Sequence, residues 1–390
     1  MGVQWVIKLS KLCNLRCKYC YEFPSLGDSK HMQLEEIEVF FRHIADYYRS
    51  RPTKMDFVWH GGEPLLQAAG FYERVFELQK RFLGAAQLHF QNSIQTNLTV
   101  LDSHKIEFLR THFDNIGVSV DLFGGLRVNS RGQPVQQIVL ENMQRLLDSE
   151  VRFGCITVLS GRTASYIEEI FDFFIELGIS FRLLPIYRTG FKSQHQQFGI
   201  TRLQIVEAFK KATDRWFKMD GFLQVRPIQD YVTNVLRKFA VPPLPVELYD
   251  KRANETLFIV DTDGGVYSNA DAYSREFLYG NIFSTTLETI LSSVGSNRSI
   301  ASSETRVAMT CSKCKFHGSC SGFFMAEATP EQRYLDEEGQ LKCGIALPLH
   351  EYVEHKLTGL GILDLSTASI DRSKLPSFES FKPINAAMEF

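Results

Sequence analysis

Cys13, Cys17 and Cys20 fall within eight positions in the order CxxxCxxC, directly after the apolar run from Val3 to Leu9. Iron–sulfur clusters are held by cysteine thiolates, ordinarily four of them. Three close thiolates can hold three corners of a cubane and leave one iron without a protein ligand. An open iron can take a small molecule as its last ligand, so this spacing points to chemistry more than to a structural tie. The competing readings are a zinc knuckle or three thiols that never meet. Structural zinc wants four N or S ligands, and no fourth stands close by in the chain.

A second set, Cys311, Cys314 and Cys320 with Cys343 after a gap, could close a zinc ribbon or a further iron–sulfur cluster. Cys155 lies alone in an apolar stretch and is expected to be buried packing. Clustered cysteines without a signal-peptide pattern favour metal binding over disulfides and a reducing, cytoplasmic compartment. The ten histidines show no ligand spacing; His60 alone stands out, because it precedes two glycines.

These residues must be positioned by a repeated unit. Strand-like runs are predicted at 3–9, 55–59, 88–94, 116–120, 153–159 and 181–185. Helical apolar spacing falls between them at 34–48, 71–82, 102–109, 137–147 and 165–177. Strand and helix alternating about six times is the pattern of parallel strands with helical crossovers. An open doubly wound sheet and a full or partial barrel remain equally open on composition. In a barrel, chemistry gathers on the loops after the strands, and every suspicious segment follows a strand: the cysteines, His60 to Pro64, Gln95 to Asn97, and Ser119 to Asp121.

A helical bridge over 202–219 and 228–239 leads to Val241-Pro242-Pro243-Leu244-Pro245, taken as a domain boundary. The expected division is 1–240, 241–349 and a sparsely patterned tail, 350–390. A hairpin with a Gly-rich turn is predicted at 257–268. The formal charge of −2 gives no footprint for nucleic acid, and no apolar run approaches the roughly 20 residues that span a bilayer.

The segment CNLRCKYC, with aromatic Tyr19 before the third cysteine, resembles the signature of radical S-adenosylmethionine enzymes. The resemblance implies a partial (β/α)6 barrel and an open-site 4Fe-4S cluster. Its vacant iron is chelated by S-adenosylmethionine, which is cleaved to a 5′-deoxyadenosyl radical, and the electron comes from an external donor of flavodoxin or ferredoxin type. Gly61-Gly62-Glu63-Pro64 resembles the family's GGEP motif and makes Glu63 the partner of the methionine amino group. Asn97, Ser119 and Asp121 become candidates for the ribose or the methionine carboxylate, with Thr96 beside them. Arg131 is a candidate near that carboxylate, and Tyr19 and Tyr21 for covering the adenine. Without the family, the short polar residues would be helix caps, Arg131 a loop arginine and GGEP a tight turn with proline at its first helical position.

The late cysteines resemble the SPASM extension, which usually carries two auxiliary 4Fe-4S clusters. Here Asn269 and Phe324 occupy two cysteine positions, and those missing ligands belong to the first auxiliary cluster. One auxiliary cluster, held by Cys311, Cys314, Cys320 and Cys343, is therefore expected. Sulfatase-maturing relatives place a catalytic aspartate where Ala270 stands; Asp271, one step late, and Asp263 are the candidate bases. The stretches Gln4 to Cys13 and Tyr21 to Asp28 look like maturases that install three-residue cyclophanes in ribosomally made precursor peptides. Thioether formation, formylglycine formation and epimerisation are the rivals, with a non-catalytic iron–sulfur sensor outside the class. With the first strand beginning at Val3, any leader recognition is expected of the barrel, bridge or extension.

Overall fold

The computed structural model describes residues 2–186, 196–219, 223–240, 246–268 and 275–374. The first half of the chain alternates as its pattern predicts. Strands β1 (Val3–Ser10), β2 (Lys54–Gly61), β3 (His89–Thr96), β4 (Asn115–Ser119), β5 (Gly154–Leu159) and β6 (Phe181–Pro185) are separated by five helices. These are α1 (Leu34–Tyr48), α2 (Ala69–Gln79), α3 (Ser103–His112), α4 (Gln136–Asp148) and α5 (Ile167–Glu176). The Asp102 side chain caps α3 by accepting from the Lys105 backbone N–H at 2.8 Å. Helices α6 (Arg202–Lys218) and α7 (Ile228–Lys238) form the bridge, with the two-residue β7 (Val225–Arg226) between them.

Strand order decides the closure that composition left open. The order β1-β2-β3-β4-β5-β6-β7 is sequential and all parallel. A doubly wound sheet would reverse its order partway across. Among the described residues β7 pairs with no strand beyond β6, so the barrel is partial.

The same sheet continues across the expected boundary. Strand β8 (Leu257–Val260) pairs parallel with β1, and β9 (Gly265–Ser268) and β10 (Gly280–Asn281) extend it antiparallel. The hairpin is present as predicted, but it is the edge of the barrel sheet rather than a separate layer. The proline run at 241–245 lies outside the described residues. Sparse patterning from 350 hid another helix. Helix α8 (Val294–Thr310) and α9 (Ala346–Gly359) follow the hairpin, and α9 packs on α6 and α7 through Leu349, Val353 and Leu357.

Alternation along each strand sorts the side chains. In β1, Trp5, Ile7 and Leu9 join the large core under the helices, whereas Gln4, Val6, Lys8 and Ser10 point into the barrel. In β2, Met55, Phe57 and Trp59 lie outside, and Asp56, Val58 and His60 inside. The lumen therefore has a polar mouth at the C-terminal ends, an apolar middle of Val6, Val58 and Ile259, and a polar floor at Gln4 and Asp56. Trp5 is fully buried, stacked on Phe258 of β8 at 4.6 Å and edge-on to Phe40 at 5.6 Å. It therefore ties the early strands to the late ones. Trp5→Ala is expected to cost about 3–5 kcal/mol, seen as a lowered denaturation midpoint in urea. A loss below about 1 kcal/mol would show that the β1–β8 seam carries little of the stability.

Candidate functional site

The cysteine loop is stitched over the strand ends by backbone hydrogen bonds. Cys13 N–H donates to Leu26 O at 3.0 Å, Arg16 N–H to Val128 O at 2.7 Å, and Lys18 N–H to Leu126 O at 2.9 Å. From below, Gly62 N–H donates to Ser10 O at 2.8 Å and Glu63 N–H to Leu12 O at 2.9 Å. This contact explains the two glycines. A Cβ on Gly61, whose φ is +122°, would stand 2.2 Å from Ser10 O, and one on Gly62 would stand 2.1 Å from Leu12 O. The close approach that the glycines permit here is to the cysteine loop.

Glu63 follows directly, 3% exposed, as the residue before the 3-10 turn Pro64–Leu66. Its Oε1 accepts from Leu65 N–H at 2.9 Å and Thr96 Oγ1 at 2.7 Å, and its Oε2 from Asn97 N–H at 2.7 Å. Three of the roughly four acceptor positions of a carboxylate are filled, and burial still pushes the acid up from its ordinary range. One acceptor position and a need for a cation are what an ammonium group would satisfy.

Asn97 is held by Thr99, whose N–H donates to Asn97 Oδ1 at 2.9 Å. Its own Nδ2 donates to Asn14 Oδ1 at 3.0 Å and approaches Cys13 Sγ at 3.7 Å. Ser119 Oγ accepts from Gln95 Nε2 at 2.7 Å, across space that Gly117 leaves by lacking a Cβ. Asp121 is saturated by the protein. Its Oδ1 accepts from Val158 N–H at 2.8 Å and Thr157 Oγ1 at 3.4 Å, and its Oδ2 from Arg127 Nε at 2.8 Å and the Tyr19 hydroxyl. It therefore braces the loop rather than offering acceptors to a nucleotide.

Arg131, by contrast, is exposed in a turn where its N–H donates to Asn129 Oδ1. It is not brought to the cysteines. Arg127, four residues earlier, is: its Nη1 lies 4.0 Å from Cys17 Sγ and its guanidinium faces the Tyr19 ring. The bridge pairing Val128 with Pro134 turns the Arg131 loop away, and sequence spacing alone could not say which arginine faced inward.

Burial raises the Cys17 thiol above its usual range, Cys13 to about 11 and Cys20 to about 12, with Cys13 and Cys20 also near enough to a neighbouring cysteine to feel its charge. Thiols at this depth stay protonated unless a metal compensates, and coordination deprotonates a thiol outright. The Leu15 N–H, Asn97 and Arg127 are among the groups placed to hydrogen-bond the sulfurs, with backbone N–H groups of Val128 and Glu22 beside them. Three clustered thiols, sulfur-directed donors and no local fourth thiol fit an open-site cluster.

Around the mouth, Lys8 pairs with Glu22, and Lys11 with Asp261 at 2.8 Å. Asp261 and Glu22 were not anticipated; the only signal was their position at a strand end and beside the cysteines. His60 faces the lumen with Nδ1 accepting from Gly61 N–H at 2.8 Å, and burial lowers it to about 4, so it is neutral. Asp263 is exposed in the hairpin turn, where its Oδ1 accepts from Gly265 N–H at 3.0 Å. It serves the turn and does not face the lumen. Asp271, Asn269 and Ala270 lie outside the described residues.

The late cysteines also converge. Cys311 ends α8, Cys314 and Cys320 follow in tight turns, and Cys343 closes the short strand Leu341–Cys343. Cys311 is pushed up to about 12 by burial and by the other three thiols. Burial raises the Cys343 thiol, and backbone N–H groups of Ile345, Ala346 and Leu347 at the start of α9 face its sulfur and partly offset that rise. Phe324 packs on Tyr231 at 5.1 Å. Nearby, Lys251 is buried between Glu255 at 3.0 Å and Glu327 at 2.8 Å. Among the described residues, no three His, Cys, Asp or Glu side chains are spaced as ligands of one metal ion. A single zinc draws its sulfurs to roughly 3.8 Å apart, whereas thiolates around a multi-iron cubane stand wider.

The chain is similar to several known proteins. Residues 7–174 match the family model described as the radical SAM superfamily. A serine-type anaerobic sulfatase-maturating enzyme of Bacteroides thetaiotaomicron is 25% identical over 339 residues, 80% of this chain and 79% of that one. The structure of anSMEcpe with bound AdoMet and Cp18Cys peptide aligns with a TM-score of 0.67 at 19% identity. It covers 92% of this chain and 97% of that one. Streptococcus suis SuiB bound to precursor peptide SuiA aligns with a TM-score of 0.55 at 15% identity, over 87% of this chain and 76% of that one. Both structures share the fold.

Gly62→Ala should push the loop off β2 and lower iron retention after anaerobic reconstitution by more than half, measured by iron and sulfide analysis. Arg127→Gln removes a cation beside Cys17 and should move the cluster's reduction potential negative, read by a potentiometric titration followed by electron paramagnetic resonance. An unchanged potential would remove Arg127 from the sulfur's surroundings.

Proposed function

We propose that this chain, which carries a radical SAM domain over residues 7–174, is a maturase acting on a peptide or protein substrate. The observation that carries the reading is the site itself: three cysteines in one loop, clamped by Gly62 and Glu63 and backed by Asn97 and Arg127. Cys13, Cys17 and Cys20 would hold an open-site 4Fe-4S cluster, which with S-adenosylmethionine supplies a carbon radical able to remove an unactivated hydrogen.

The chain's own residues bind and orient. Glu63 would receive the methionine ammonium at its remaining acceptor position, and Ser119 and Asn97 would serve a ribose or carboxylate. The lumen excludes water below them through Val6, Val58 and Ile259. Cys311, Cys314, Cys320 and Cys343 would hold one auxiliary cluster with all four positions filled, suited to passing an electron rather than to binding substrate. A flavodoxin or ferredoxin type donor in a reducing cytoplasm completes the scheme.

Within this class we favour closure of a cyclophane. Loss of a β-hydrogen gives a carbon radical that attacks an aromatic ring of the same peptide, and the ring returns to aromaticity by giving up a proton and an electron. The proton has carboxylates within the mouth, Glu22 and Asp261; the electron has the auxiliary cluster. Formylglycine formation is the second reading, favoured by the sulfatase-maturating relative. It is opposed by Ala270, where such relatives carry the catalytic aspartate.

Mass spectrometry of a co-expressed precursor decides between them. A loss of two hydrogens, with ring and β-carbon joined in the fragment spectra, is the expected result; oxidation of a serine or cysteine to an aldehyde would replace the cyclophane with formylglycine. Cys17→Ala should abolish formation of 5′-deoxyadenosine. Glu63→Gln should weaken S-adenosylmethionine binding about tenfold or more by calorimetry, because hydrogen bonds to charged groups contribute about 1.5–3 kcal/mol. Unchanged affinity would displace Glu63 from the amino group.

A further inference from the structure

A cavity of about 720 Å³ opens at the other end of the barrel, where the strands begin. Its wall is built from the starts of β1, β2 and β3, from Arg182 of β6 and Arg226 of β7, and from α7. Barrel chemistry belongs to the opposite face, and the N-terminal face ordinarily serves stability. The apolar layer of Val6, Val58 and Ile259 stands between this cavity and the cysteine mouth on the β1, β2 and β8 side. On that side the cavity is screened from the mouth, and its volume is within the range that takes a ligand.

Its charges are unbalanced. Arg182 and Arg226 are register partners on neighbouring parallel strands, which places like charges side by side, and both line the cavity. Like charges opposite one another in a sheet are destabilising. Arg226 pairs with Asp230, but Arg182 and Arg237 face that same carboxylate. Lys54 adds a fourth cation at the rim. The other carboxylate among the described wall residues, Asp56, is already engaged by Gln4 Nε2 at 2.8 Å and Ser93 Oγ at 2.7 Å. Four cations against two carboxylates, both of them engaged, give the described wall a positive surplus that suits an anion. Guanidinium groups in convergent sets suit planar carboxylates. The rest of the wall mixes polar side chains, Gln91, Asn234 and Ser321 among them, with the rings of Phe90, Phe323 and Phe324.

We propose that this basal cavity docks an acidic stretch of the peptide substrate, one in which carboxylates stand beside an aromatic or large aliphatic residue. The proposal rests on the peptide reading above. Docking here would hold the substrate by residues other than those that react, and it assigns recognition to the floor of the barrel.

The test uses the anaerobically reconstituted full chain and two fluorescein-labelled heptapeptides, one alternating glutamate with phenylalanine, the other alternating glutamine with phenylalanine. Fluorescence anisotropy should show the acidic peptide binding at least tenfold tighter, with affinity falling as salt rises. Arg237→Gln, and the exposed and structurally undemanding Lys54→Gln, should each weaken it threefold or more. Both should leave peptide-independent cleavage of S-adenosylmethionine within twofold of wild type, because neither residue touches the mouth. Equal binding of the two peptides, no binding of either, or variants that bind like wild type would overturn the proposal. So would displacement of the acidic peptide by inorganic phosphate at an ionic strength where chloride has no effect, which would mark a small-anion site. Failure of the maturase reading itself shows elsewhere: a wild-type protein that cleaves no cofactor under reduction.

Discussion

The site depends on one close contact: the end of β2 pressed against the backbone of the cysteine loop. Where Gly61 and Gly62 meet Ser10 and Leu12, carbonyl oxygens occupy the volume any side chain would need. That approach fixes the height of the loop above the barrel, and the next residue, Glu63, inherits its position from it. Glu63 in turn orders Thr96 and Asn97 at the end of β3, and Asn97 reaches back to Cys13. A ring of contacts thus closes through three strand ends. On the far side Asp121 does the same service for Cys17 through Arg127 and Tyr19.

Much of this was legible in the sequence, because it rests on spacing. CxxxCxxC after a strand, GGEP one βα unit later and the six-fold alternation each report local geometry, and each is found where expected. What escaped notice is what depends on facing. Arg127 and Arg131 are four residues apart in a loop without periodicity, and only the bridge between Val128 and Pro134 determines which one turns inward. Asp263 and Asp261 differ likewise. The first belongs to a turn, and the second, at the end of β8, meets Lys11 from 250 residues away. The pairing of β8 with β1 left no local trace, and α9 was hidden by an apolar face that spreads over both α6 and α7.

The distribution of charge follows the same division of labour. Buried ion pairs sit at the mouth, with Lys8 and Glu22, and within the extension, where Lys251 lies between Glu255 and Glu327. Such groups cost desolvation and are tolerated when fully partnered. The floor is different, because three arginines, Arg182, Arg226 and Arg237, gather on one cavity wall.

The seam between β1 and β8 also bears on how the chain is born. Its partners are residues 4–7 and 257–260, so a nascent polypeptide emerging amino end first has one flank of its first strand unpaired for most of its synthesis. At translation rates of about 5–20 residues per second, that interval is roughly 10–50 s. An open strand flank invites pairing with other chains. The first cysteine loop is therefore made well before residues 257–281 complete the barrel's sheet.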